Sequence, residues 1–209
     1  MLAIEILNQL IIGIKNTTIL EYIGVFTGIA SVWYSRKENV LVYPIGLIST
    51  IIFIYISAKG GLLGEASVNI YYTVMSFYGW HLWLKKDSSN HQQLLQISLS
   101  KKKEWMQQLL FFAGCYIVIF FCLIWLKKSF APEAIPWADA FASATAYTGM
   151  WLMAKKKVES WWWWIATDIS SIPLYFVKGY VFSSLQFLVF TIMAIAGLIA
   201  WRRKALLAK

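Results

Sequence analysis

The sequence predicts an all-α membrane protein: seven transmembrane helices in a 3+1+3 parallel-repeat arrangement, behind an N-terminal amphipathic helix. Three observations predict it. Of 209 residues, 59% are hydrophobic and only 14% charged, against about 25% charged in soluble domains. The apolar residues gather in seven blocks, at 19–35, 40–58, 65–84, 106–126, 137–153, 161–177 and 180–201, each near the length of about 20 residues that crosses a bilayer. The 19 Lys and Arg behind the net charge of +9 fall in short clusters between those blocks. That is loop charge, not a stripe that follows nucleic acid.

Residues 1–18 come first and place Ile4, Leu7, Leu10, Ile11 and Ile14 on one helical face, with Glu5 present and no base before Lys15. A cleaved signal peptide wants a positive start, so this segment reads as a helix lying on the membrane surface. Residues 19–84 hold three spans, broken at Arg36-Lys37-Glu38-Asn39 and at Lys59-Gly60-Gly61. Residues 85–136 supply a cytoplasmic loop and a linking span, closed by Lys127, Lys128, Pro132 and Pro136. Residues 137–209 hold three more spans, broken at Lys155-Lys156-Lys157 and Lys178-Gly179, and a basic tail. Cys115 and Cys122, seven residues apart in one helical block, are about 10 Å apart along the axis and beyond disulfide reach.

Counting cations on alternate sides orients the chain. Fourteen follow spans one, three, five and seven, while Lys15, Lys59, Lys127, Lys128 and Lys178 make five on the other side. The positive-inside rule then puts the N-terminus outside and the C-terminus in the cytoplasm.

The chain also repeats weakly at an offset of 118 to 121 residues. Glu21 matches Asp139, Arg36-Lys37 matches Lys155-Lys156, Glu38 matches Glu159, Lys59-Gly60 matches Lys178-Gly179, Gly79 matches Gly197 and Trp83 matches Trp201. Each unit holds three spans, and one span between them makes both units start on the same face. Such parallel repeats occur in SWEET transporters, with substrate sites near the midplane where the repeats meet.

Asp168 lies mid-way along the sixth span. A carboxylate at that depth costs about 2.5–3.5 kcal/mol on insertion scales, so it belongs against a polar cavity, and no Lys or Arg lies mid-span to pair with it. Its partner is a cationic substrate, a proton or a coupling ion; the alternative is a protonated group bonding a neighbouring helix. Trp161, Trp164, Asp168, Ser171 and Tyr175 share its helical face. Flat rings beside a carboxylate suit a flat cation. Trp161, Trp162 and Trp163 read as an interfacial belt beside Lys155–Lys157, which leaves Trp164 for binding. In the third span Asn69, Tyr72, Ser76, Trp80 and Trp83 share a face, and in the seventh Gln186, Phe190, Met193 and Gly197 do. Asn69 is either a ligand hydrogen-bonder or an interhelical one. Glu65 reads as a solvated mouth residue. Pro173 and Pro44 each withhold a helical N–H and predict kinks. His81 and His91 have no metal-ligand companions, so neither metal nor other cofactor is expected.

The residues in hand resemble the PnuC family of bacterial vitamin transporters, from about residue 19 to residue 204. The resemblance is carried by SVWYSRKENVLVYPI at 31–45, GLLGEASVNIYYTVMSFYGWHLW at 61–83, and WWWWIATDISSIPLYFVKGYVFSSLQFLVF ahead of the terminal GLIAWRR. It implies a fold similar to a full-length SWEET, a homotrimer in the bacterial inner membrane, and no enzymatic activity. It also implies facilitated diffusion of a phosphate-free vitamin, made one-way by a cytoplasmic kinase. Family members carry nicotinamide riboside, thiamine or riboflavin, and the first two are planar cations. Trp164 and Asp168 are similar to the family's Trp and Asn pair, with a carboxylate in place of the amide, which marks either a thiamine carrier or stronger cation binding. Asn39, in the family's short Arg/Lys-x-Asn segment, is implied at the cytoplasmic mouth. On this reading Trp164, Trp80 and Tyr72 stack on the vitamin, Asp168 balances its charge, and Asn69, Gln186 and Ser171 bond its polar edges. Tyr175, Ser76 and Phe190 complete the faces. An ion-coupled carrier and a membrane scaffold without transport are the competing expectations.

Overall fold

A computed structural model of the protein describes residues 8, 11–15, 17–59, 63–86, 93–127 and 134–207. Residues 11–15 are helical; the rest of the expected amphipathic helix lies largely outside the described residues, as do Gly60, Gly61, His91, Lys128 and Pro132. Seven long helices follow: α1 Ile19–Arg36, α2 Val42–Lys59, α3 Leu63–Leu84, α4 Lys102–Lys127, α5 Pro136–Ala154, α6 Ser160–Val177 and α7 Val181–Leu207. Their bounds track the seven apolar blocks to within two residues, except that α4 begins four residues earlier, at Lys102, and α7 runs six residues further, through Arg202-Arg203-Lys204 to Leu207. α1 begins in a capping box, in which Glu21 N–H donates to the Thr18 hydroxyl and the Glu21 carboxylate accepts from Thr18 N–H. α6 closes on Lys178 and Gly179, whose φ of 83° suits a residue without Cβ. α2, α4 and α7 are long and apolar enough to cross a membrane by length and composition.

Pro44 is the third residue of α2. In the first turn its missing N–H has no helical acceptor to disappoint, so the expected kink there is replaced by an ordinary helix start. Pro173 does fall inside α6.

Within each group of three, consecutive helices pack on each other, and between the groups α3 packs on α5 while α7 packs on α1; α4 lies against α5. Helix boundaries recur at a constant spacing: Arg36 and Ala154, Val42 and Ser160, Lys59 and Val177, and Leu63 and Val181 are each 118 residues apart. This corrects part of the repeat register read from sequence. The counterpart of Glu38 is Lys156, not Glu159, because both follow the first helix of their unit at positive φ, 59° and 50°. Sequence matching rewarded the like charge; the shared turn conformation decides otherwise.

The packed core sits at the basic end of the bundle, where Arg36, Lys155 and Arg202 lie. Tyr43, Trp83, Trp161 and Trp201 are at its centre, each at most 2% exposed. Their arrangement is reciprocal. Trp83 Nε1 donates to the carbonyl of Ala154, at the end of α5, and Trp201 Nε1 donates to the carbonyl of Ser35, at the end of α1. Each unit's third helix thus caps the other unit's first. Tyr43 lies over Gly79, and Trp161 over Gly197, where any Cβ would collide with the ring. The indole of Trp161 is therefore core, not interfacial belt. Trp162 is 53% exposed, and Trp163 Nε1 donates to Gln108 Oε1 on α4.

Candidate functional site

Between the two groups of helices lies a cavity of about 930 Å³, within the range of small-molecule sites. Tyr43, Ser35, Met153 and Trp161 line it toward the basic end, and Glu65, Tyr175, Lys178 and Asp139 toward the other. The middle is made from the helical faces that the periodicity picked out. Trp164, Asp168, Ser171 and Tyr175 come from α6, Asn69, Tyr72 and Ser76 from α3, and Gln186 and Phe190 from α7. Helical spacing put each set on one face; the packing of α3, α6 and α7 turned those faces toward a common space.

Asp168 is 4% exposed and lines the cavity. Among the described residues its carboxyl makes no hydrogen bond or ion pair. Thr167, one residue before it, bonds instead to Thr145 Oγ1 and to the Trp163 carbonyl, and it is this neighbour that joins α6 to α5. Carboxylates that deep are as a rule paired; this one stands on the wall of the open cavity. Close by, the rings of Tyr72 and Trp164 lie with centroids 5.8 Å apart and planes tilted by 57°. Trp164 in turn lies on Gly149, where a Cβ would come within 3.2 Å of the indole. Absence of that Cβ is what lets the ring lie flat on α5.

At the end away from the basic clusters, Tyr175 Oη donates to Glu65 Oε1 at 3.0 Å. Lys178 Nζ meets Asp139 Oδ1 at 2.6 Å, with the two side chains 15% and 20% exposed. Asp139 also accepts from Ile135 N–H through Oδ2. Glu65 is therefore a half-buried, hydrogen-bonded member of the cavity wall and not a solvated mouth residue. In the sequence Asp139 served as a repeat marker, and Lys178 as a repeat marker, a span break and one of the five cations on the outer side. The two sit at the start of α5 and just past the end of α6, and the short turn at 155–159 between these two packed helices brings those ends to the same side.

Two expected residues stand apart. Trp80 shares the α3 face of Ser76, but it does not line the cavity and packs against the core instead. Asn39 is exposed; its Oδ1 accepts from Leu41 N–H and its carbonyl from Val42 N–H, which shapes the turn into α2. Asn69 lines the cavity and donates through Nδ2 to the Glu65 carbonyl within its own helix.

Below the cavity the basic end is tied together. Lys156 Nζ, on a side chain 0% exposed, meets Glu38 Oε1 at 2.8 Å, donates to Gln93 Oε1, and lies 4.7 Å from the Trp83 ring centre. Burial pushes its amine below the usual lysine range, and Glu38 offsets part of that push. Ser35 Oγ reaches Met153 Sδ at 3.0 Å, again between residues 118 apart. The segment before α4 is held by Ser100, whose N–H and hydroxyl both donate to the Glu159 carboxylate.

Comparison with known proteins places this arrangement. The profile of a family described as nicotinamide mononucleotide transporter matches residues 18–203. The nicotinamide riboside transporter PnuC of Escherichia coli (strain K12) is 22% identical, with 89% of this chain and 86% of that protein covered. The riboflavin/roseoflavin transporter RibM of Streptomyces davaonensis is 19% identical over 87% of this chain and 83% of its own. In three dimensions the chain is similar to the crystal structure of the vitamin B3 transporter PnuC. The TM-score is 0.69 at 22% identity, over 97% of this chain and 91% of that one.

Proposed function

The chain belongs to the nicotinamide mononucleotide transporter family, and from that premise we propose that it carries nicotinamide riboside, a planar cationic vitamin, across the bacterial inner membrane. As the family and its apolar helices require, it is a multi-pass membrane protein. The observation that carries the proposal is Asp168: 4% exposed, without a bonding partner among the described residues, and facing a cavity that also holds the Trp164 and Tyr72 rings. A pyridinium ring there gains Coulomb attraction from the carboxylate and cation–π attraction from the indole, worth about 0.5–2 kcal/mol per well-placed ring. Ser171, Ser76, Asn69, Tyr175 and Gln186 offer hydrogen bonds to the ribose and amide, and Phe190 adds apolar surface.

In this reading all seven helices span the bilayer in a 3+1+3 arrangement, with α4 as the linker, the N-terminus outside and the C-terminus in the cytoplasm. The exchange of contacts between α3 and α5 and between α7 and α1 supports it, as does the cation partition. Transport is facilitated diffusion by a homotrimer, made one-way by a kinase that phosphorylates the vitamin inside the cell.

Thiamine is the second reading, favoured by the same carboxylate because its thiazolium is also a flat cation. Titration calorimetry on the purified chain in detergent tests both. Micromolar binding of nicotinamide riboside and no binding of its 5′-phosphate is the expected result, and thiamine binding alone selects the second reading. Binding of riboflavin but of neither cation would sink the charge argument. Proteoliposome uptake that equilibrates equally with and without a proton or sodium gradient is expected of a facilitator.

A further inference from the structure

The two units match position for position at the basic end, but they part company in the middle of the cavity. Trp164 of α6 corresponds, 118 residues earlier, to Gly46 of α2, and Asp168 corresponds to Thr50. Gly149, on which the Trp164 indole lies, corresponds to Ser31 of α1. In the first unit, then, the indole is missing and a small hydroxyl stands behind its place: a Cβ on Gly46 would come within 3.3 Å of Ser31 Oγ. Gly46, Ser31 and Thr50 all line the same cavity as Trp164 and Asp168. Gly28 and Ser49 extend this small-residue wall.

Small residues alone mark no site. The wall of the same cavity also carries Asp168, a charged group 4% exposed with no bonding partner among the described residues. Residue 46 adds no side chain where its counterpart adds an indole, and the cavity reaches that position. We infer that Gly46 and Ser31 form the slot for the aromatic ring of the substrate, which takes up in the first unit the position that the Trp164 indole holds in the second. This deepens the function proposed above and rests on it. Asp168 supplies the charge and Gly46 the room, so residue 46 determines which ring sizes are admitted.

The test transplants the packing of one unit into the other. The double variant Gly46→Trp/Ser31→Gly rebuilds at α1 and α2 the indole-on-glycine contact already present between α6 and α5. The smaller Gly46→Ala/Ser31→Gly adds one methyl, with room made for it, and Gly114→Ala on α4, outside the cavity wall and with nothing within 4 Å of the added Cβ, is the control. Each is compared with the unaltered full chain in detergent, by calorimetry with nicotinamide riboside and with thiamine, and by size exclusion and thermal unfolding to confirm folding. The Trp variant is expected to fold and to lose binding by about a hundredfold or more, the loss of a stacked ring together with its place. The Ala variant is expected to lose about threefold or more, and it alone decides if the Trp variant does not fold; the control is expected to bind as the unaltered chain does. Binding unchanged in the folded Trp variant, or within threefold in the Ala variant, overturns the slot and leaves the proposed function standing. If the unaltered chain binds neither vitamin, the function fails and the slot with it.

Discussion

Glu38 and Lys156 hold the same position in the two three-helix units, and they are bonded to each other. Both follow the first helix of their unit at positive φ, and their side chains meet at 2.8 Å where the units face one another. They differ in exposure: 0% for the Lys156 side chain, 19% for that of Glu38. Glu38 also pairs with Lys204 of α7 at 3.0 Å. The two substitutions are therefore unequal. Glu38→Ala leaves a buried ammonium without its carboxylate and is expected to cost about 3 kcal/mol, as breaking a buried pair does. Lys156→Met fills the same space with apolar atoms and leaves Glu38 its second partner, so about 1 kcal/mol or less is expected. Thermal unfolding in detergent reads the order; Lys156→Met as the worse of the two would refute it.

The two reciprocal indole caps also differ. The Ser35 carbonyl accepts from Glu38 N–H as well as from Trp201 Nε1. The Ala154 carbonyl, at the last residue of α5, is bonded by Trp83 Nε1. Trp83→Phe thus strips a buried helix-end carbonyl, and should cost about 1–3 kcal/mol more than the change in ring size alone. Trp201→Phe leaves its carbonyl one donor. Equal losses in a denaturation series would mean that ring packing, not the hydrogen bond, sets the cost.

Three helical glycines make a graded set. A Cβ on Gly197 would come within 2.5 Å of the Trp161 ring, and one on Gly79 would collide with Tyr43, while one on Gly114 of α4 meets nothing within 4 Å. Gly197→Ala and Gly79→Ala should each destabilise by about 1–3 kcal/mol through overpacking. Gly114→Ala should be neutral or stabilise by up to about 1 kcal/mol, the usual gain over Gly in a helix. A tolerated Gly197→Ala would show that Trp161 has another place to go.

Asp168→Asn keeps the shape of the side chain and removes its charge. Affinity for nicotinamide riboside and thiamine is expected to fall by about tenfold to a hundredfold, or about 1.4–2.8 kcal/mol, with riboflavin unaffected. Competition calorimetry against the unaltered chain measures this; an equal loss for all three ligands would assign Asp168 a structural part.

The sequence alone determined where the helices are and which residues share a face. Block length and helical period are local properties, so the places of α1 to α7, to within a few residues, and the grouping of Trp164, Asp168, Ser171 and Tyr175 could be read before any fold was known. What touches what was decided only by the tertiary structure. Trp80 shares a face with Ser76 but packs against the core instead of lining the cavity, and Trp161 leaves the interface because Gly197, thirty-six residues later, has no side chain to keep it out. Glu65 gains Tyr175 from a helix 110 residues later, and Asp139 gains Lys178 across the neighbouring helix pair. Even the repeat needed three dimensions for its register. Like residues suggest a match, but equivalent backbone turns define one, and across this interface the equivalent residues carry opposite charges.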